Sequence, residues 1–172
     1  VTVTGRFADV VSDVIEASPQ QPIVWIQDYH LLLLPQLLRD RFPELRIGMF
    51  LHIPFPAPEL FARLPWRESL LGGMLTADSL GFDTEQYRDN FLRTVQRVLP
   101  DATVLGDSIM REDGRRVRAL DHPISIDAGD FAALATDEAT DREVSALREQ
   151  FGDRKVLLGV DRLDYTKGIR HR

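Results

Sequence analysis

Asp161, Arg162, Asp164, Lys167 and Gly168 crowd into a short stretch directly after the apolar run 156–160. Charges and a turn residue at a strand's end are poor core material, but they suit a grip on something charged. A diphosphate needs fixed cations, above all when it is a leaving group whose charge grows in the transition state. Arg162 offers a planar fork and Lys167 a point charge, and Gly168 would let backbone N–H groups approach the same anion. The plainer alternative is that Arg162 and Lys167 only pair with Asp161 and Asp164 at the surface.

Two other strand-like runs end in polar clusters, Gln27-Asp28-Tyr29-His30 and His52-Ile53-Pro54. His52, next to a proline-stiffened turn, could donate a hydrogen bond to a sugar hydroxyl or a developing charge; the blander reading is a satisfied, half-buried histidine. Asp28 could accept from sugar hydroxyls or act in proton transfer, or simply cap the leucine-rich helix that follows. Asp28, His30, His52, Asp161 and Asp164 show no His-x-x-x-His or Asp-x-Asp spacing and no cysteine joins them, so no metal is expected. Neither a dinucleotide fingerprint nor a P-loop is present.

Strand-length apolar runs alternate with helical patterns, which predicts βα units on a parallel sheet. Residues 4–17 carry Phe7, Val10, Val11, Val14 and Ile15 at helical spacing. Ile23-Val24-Trp25-Ile26 reads as a fully buried strand, followed by a helix with Pro35 in its first turn. Residues 45–51 are the next strand, ended by Pro54, Pro56 and Pro58. Residues 59–75 are helical in parts, broken near Pro65 and Gly72-Gly73, and 77–82 are a short strand. Asp83 is expected to cap a helix with Tyr87, Phe91, Val95 and Val98 on its buried face. Residues 109–119 form a hairpin on Asp113-Gly114, with Arg115, Arg116 and Arg118 on an exposed edge. A strand over 120–127, polar helix over 128–151 and a new strand at 156–160 complete the pattern. In open sheets of this kind, ligands bind beyond the carboxyl ends of the strands. The three polar clusters therefore point to an anionic, hydroxylated ligand.

With 172 residues, 44% hydrophobic and 28% charged, the chain has the composition of a globular protein with a real core. Its net charge of −6 supplies no global field for nucleic acid or anionic lipid, so neither is expected as a partner. The leucine run 31–38 falls far short of the ~20 residues a membrane span needs. No signal peptide is visible, and the absence of cysteine weakly favours the cytosol, so a cytoplasmic location is expected. The missing initiator methionine and a helix starting at Gly168-Ile169-Arg170 just before Arg172 read as the ends of a fragment.

At the same positions the sequence resembles the trehalose-6-phosphate synthases, retaining glycosyltransferases of the two-Rossmann GT-B fold. VWIQDYHLLLLPQLLR (24–39), FLHIPFPAPELF (50–61), LGFDTEQYRDNFL (80–92) and VDRLDYTKGI (160–169) are similar to family blocks, in order. The resemblance implies an α/β Rossmann-like parallel sheet with flanking helices. It places 1–127 in the amino-terminal, acceptor-side domain, 128–153 in an interdomain helical segment, and 154–172 at the start of the donor-nucleotide domain. It implies transfer of glucose from a nucleoside-diphosphate-glucose to glucose 6-phosphate with retention, no cofactor and no metal. Arg162 and Lys167 would bind the donor diphosphate, His52 the donor glucose, and Asp28 the acceptor sugar. Asp28 and His52 are the catalytic candidates, and Ile53 lies where the family selects the α-anomer. The full-length protein is expected to be a homo-oligomer and the fragment alone to be inactive. A non-catalytic sugar-phosphate-binding homologue and another GT-B glucosyltransferase are the alternatives. One departure is Ser125, in Pro123-Ile124-Ser125-Ile126-Asp127, where many members have glycine; a positive φ there would strain serine.

Overall fold

A six-stranded sheet organises the first part of the chain, in the order β1-β2-β3-β6-β5-β4. The computed structural model describes residues 2–171, and they divide into two units at the Ile124–Ser125 junction. In the first unit β1 (Ile23–Gln27), β2 (Arg46–Leu51), β3 (Ser79–Phe82) and β6 (Arg116–Asp121) run parallel. β5 (Ser108–Met110) and β4 (Thr103–Leu105) add an antiparallel margin. The expected α/β architecture is therefore present.

The crossovers carry α2 (Leu34–Arg41), α3 (Pro58–Phe61), α4 (Arg67–Met74) and α5 (Glu85–Val98), preceded by α1 (Thr2–Ala17). From β1 through β2 to β3 the chain steps across the sheet in one direction; after α5 it passes to the far margin at β4 and returns through β5 to β6. Right-handed crossovers then place every connecting helix on the same side. The register agrees: Ile26, Ile47, Met49, Leu51, Leu80, Phe82, Val117 and Ala119 share one face and are buried with Leu34, Leu38, Leu71, Phe91 and Val95. The opposite face carries Ile23, Trp25, Gln27, Gly48, Phe50 and Gly81, and among the described residues no helix of this unit packs on it. Ile23 is 63% and Trp25 69% exposed. The reading of residues 23–26 as buried on both sides is thus corrected: β1 is an edge strand with one covered face.

The α1 stripe is corrected too. Ala8 and Ile15 are buried along with Thr4 and Ser12, while Phe7, Val10 and Val14 are exposed. The helix is turned by polar ties: the guanidinium of Arg41 on α2 donates to Ser12 Oγ (2.9 Å) and Asp9 (2.7 Å). Gly72 and Gly73 do not break a helix but lie inside α4. A Cβ at Gly73 would come within 3.0 Å of the Leu32 carbonyl oxygen, so the missing side chain lets α4 approach that segment. The 109–119 hairpin forms as β5 and β6 around Gly114, whose φ is +81°. Its arginines line no sheet edge, because β6 lies between β3 and β5. Arg116 donates to Ser108 Oγ, and Arg118 and Arg115 meet Asp107 and Asp78. The strand expected over 120–127 ends at Asp121.

At the amino ends of β2 and β3, Arg39, 8% exposed, holds the sheet to α2. It donates to the carbonyls of Thr76, Pro43 and Leu45 and, in a fork, to both oxygens of Asp78 at 3.0 Å. Asp78 also accepts the Ile47 N–H at 2.7 Å.

The second unit contains α6 (Ala128–Ala135), capped by Asp127, and α7 (Glu138–Phe151), capped by Asp137 and ended by Gly152 at φ +57°. Ser125 has no positive φ, so the serine is not strained. The strand expected at 156–160 does not form, and its side chains are exposed. Among the described residues this unit holds no other strand to complete a ladder, and an isolated strand leaves its N–H and C=O groups to water.

Candidate functional site

The carboxyl ends of β1 and β2 meet through one hydrogen bond: the Asp28 N–H donates to the Phe50 carbonyl at 2.7 Å, extending the ladder past Gln27. Asp28 has φ 69° and ψ 171°, and among the described residues other than glycine it alone has a positive φ. That region is almost exclusive to glycine and costs about 1–3 kcal/mol, so surrounding contacts must hold it. Besides the Phe50 bond, Oδ1 accepts the Tyr29 N–H at 2.9 Å, and the Asp28 carbonyl accepts from Leu31. Asp28 therefore caps the 3-10 turn Tyr29–Leu31 and not the leucine-rich helix, whose start at Leu33 has no side-chain cap. The rings of Tyr29 and His30 lie 3.9 Å apart over that turn.

At the end of β2 the proline-rich turn is pinned from within. Phe55 is 3% exposed, packs on Phe61 and Phe91 at 5.0 and 5.2 Å, and its carbonyl accepts from Asn90. With Phe55 inside, His52 and Ile53 are turned outward. His52 is held on two sides: Nε2 lies 2.8 Å from Gln27 Oε1, and its ring lies 4.6 Å from that of Phe50. Trp25, Gln27, Phe50, His52, His122, Pro123 and Ile124 line a groove on the uncovered sheet face. Asp28, His52 and Ile53 are thus brought together at adjoining strand ends.

Next along the sheet, Asp83 does not cap α5. Thr84 does, accepting the Tyr87 N–H at 3.3 Å, and Asp83 Oδ1 is buried without a hydrogen-bond partner. The end of β6 is closed by Arg88, which binds Asp121, Asp89 and Glu85. The hydrogen bond that its guanidinium donates to Asp89, ahead of the charge of Asp121, raises its pKa further.

Arg162 and Lys167 belong to the second unit, in a turn built on Asp164. Asp164 Oδ1 accepts from the Thr166 N–H and hydroxyl, both at 2.9 Å. These bonds, and then the charges of Arg162 and Lys167, hold its carboxyl below the usual carboxylate range. Gly168, at φ 61°, ends the turn by donating its N–H to the Tyr165 carbonyl. Its own N–H is thus used within the turn.

Sequence reasoning gave Gln27, named only within a polar cluster, and Phe50 no role beside His52. Their signal was positional: each stands two residues before or on the strand next to His52 and faces the same way. Among the described residues no group of three or more His, Asp or Glu could hold a metal, and no helix is long and apolar enough to cross a membrane.

The profile of glycosyltransferase family 20 matches residues 1–172. Trehalose-6-phosphate synthase of Mycolicibacterium gilvum (strain PYR-GCK) is 42% identical over 177 residues, covering 98% of this chain and 35% of its own length. The chain therefore spans about a third of that relative. A solved E. coli structure bound with UDP-2-fluoro glucose superimposes with a TM-score of 0.76 at 34% identity, covering 96% of this chain and 37% of the other. An α,α-trehalose-phosphate synthase (UDP-forming) from Burkholderia xenovorans, in complex with glucose-6-phosphate, gives 0.76 at 30% identity, with 96% and 37% covered. Matched from end to end by the family profile, the chain belongs to glycosyltransferase family 20.

Proposed function

We propose that the full-length protein containing this segment transfers glucose from a nucleoside-diphosphate-glucose to glucose 6-phosphate, giving trehalose 6-phosphate with retention and without a metal. The observation that carries the proposal is Asp28, held in a backbone conformation fit for glycine, beside an imidazole restrained by two neighbours. Strain of this kind collects where a ligand must be met in one geometry. A sugar nucleotide in the E. coli relative and glucose-6-phosphate in the Burkholderia relative support the two substrate classes.

In this reading the Asp28 carboxylate accepts hydroxyl hydrogens of the acceptor sugar. The His52 imidazole contacts the donor glucose, and Ile53 restricts the anomer bound. Arg162 and Lys167 neutralise the departing diphosphate, whose own oxygen takes the acceptor's proton on the same face. No enzyme nucleophile is required: the bond to the leaving oxygen breaks as the bond to the acceptor oxygen forms, and the proton passes to the diphosphate. The segment alone is inactive, the protein is cytoplasmic, and the full-length chain is a homo-oligomer.

The test is turnover of the full-length protein with Arg162→Ala and Lys167→Ala. Each loses charge stabilisation of the transition state, raising the barrier by about 2–4 kcal/mol. Near-normal kcat in both variants would reject their role, and activity abolished by a chelator would reject the metal-free mechanism.

A further inference from the structure

We infer that Gln27 is a positioning residue for His52, fixing which ring nitrogen carries the proton; the inference rests on the function proposed for His52. Gln27 closes β1, and its Cα partner in β2 is Phe50. His52 follows Phe50 by two residues, so it stands on the same face and diagonal to Gln27. The Asp28–Phe50 hydrogen bond at 2.7 Å locks the two strand ends in this register. The register thus places the amide within reach of the imidazole.

Gln27 Oε1, 2.8 Å from Nε2, is an acceptor only. Paired to that oxygen, Nε2 carries the proton of the neutral imidazole and Nδ1 the lone pair, the arrangement that nitrogen shifts test. Phe50, with its ring at 4.6 Å and 39°, limits rotation of the ring about its own plane. One neighbour sets the tautomer and the other the tilt. Each matters more because His52 is exposed, where a lone imidazole would exchange tautomers and rotamers freely. The adjacent Pro54 fixes the backbone beyond His52 but cannot choose its proton.

The experiment uses the full-length protein with 15N-histidine labelling and steady-state kinetics on Gln27→Leu and Gln27→Glu. Leucine removes the acceptor at similar volume, whereas glutamate keeps an acceptor oxygen at that place. The exposure of Gln27 makes failure to fold an unpromising explanation for either variant. In the parent, His52 should show one protonated and one unprotonated ring nitrogen, with Nε2 protonated. Gln27→Leu should give averaged nitrogen shifts and a roughly three- to tenfold fall in kcat, the worth of one hydrogen bond, with KM little changed. Gln27→Glu, which keeps an acceptor oxygen, should keep Nε2 protonated and recover most of kcat at a pH where the imidazole is neutral. Unchanged nitrogen shifts and unchanged kcat in Gln27→Leu would overturn the inference. If the shifts average as expected but His52→Ala turns over normally, the positioning by Gln27 stands and the role proposed for His52 falls.

Discussion

Gly81 offers the sharpest test of how the sheet builds the platform under His52. It lies in β3 beside Phe50 of β2, and a Cβ placed on it would stand 2.5 Å from Phe50 Cδ2 and 2.9 Å from Cε2. Ordinary carbon contacts are about 3.5–4.0 Å, so Gly81→Ala must push the ring back by roughly 1 Å. Overpacking of this kind costs about 1–3 kcal/mol. In a Phe50→Ala background the obstacle is gone, and glycine to alanine in a strand should instead stabilise by about 0.5–1 kcal/mol through the unfolded chain. The two sites should therefore couple by about 1.5–4 kcal/mol. Urea unfolding of the parent, both single variants and the double variant, compared at constant m, measures it. An equal cost for Gly81→Ala with and without the Phe50 ring would refute the packing argument. Because His52 leans on that ring, the single variant should also lower turnover.

Two other outcomes follow from the ionic contacts. Arg39→Met should destabilise the first unit by about 2–3 kcal/mol, less than for a fully buried pair because Asp78 is 43% exposed, and it should strand the Pro43 and Leu45 carbonyls; chemical unfolding reads it. The turn around Asp164 should weaken in acid. Its folded pKa lies below the unfolded value, so its contribution is present above the ordinary aspartate pKa and is lost as pH falls through the lowered one. Protection of the Thr166 amide, its exchange rate taken relative to the intrinsic rate at the same pH, should fall there and not at neutral pH, and Asp164→Asn should flatten the dependence.

The fold was legible where the pattern was local. Alternating strands and helices, the stop at the prolines and the hairpin on Asp113-Gly114 depend on near neighbours. What was misread needed distant partners. Whether Ile23 and Trp25 are covered depends on which side the crossovers occupy, and the face of α1 depends on Arg41 reaching Asp9 and Ser12. The run 156–160 is apolar enough for a strand, but a strand exists only with a neighbour. Asp83 and Thr84 are both good capping residues, and only the geometry at the end of β3 decides between them. At the site, Asp28 and His52 were visible as polar residues at strand ends. Gln27 was visible in the same way, but its pairing with His52 was not, because that lies in the register of two strands and not in its own neighbourhood.

The backbone at Asp28 changes how a substitution there must be judged. Alanine would remove the carboxylate yet leave a Cβ in a conformation that only glycine tolerates well, so lost activity could reflect a collapsed loop. Glycine deletes the side chain while relaxing the main chain, and asparagine keeps the Cβ but surrenders the charge. Comparing those two, and leaving alanine aside, separates what the acid does from what its unusual torsion demands.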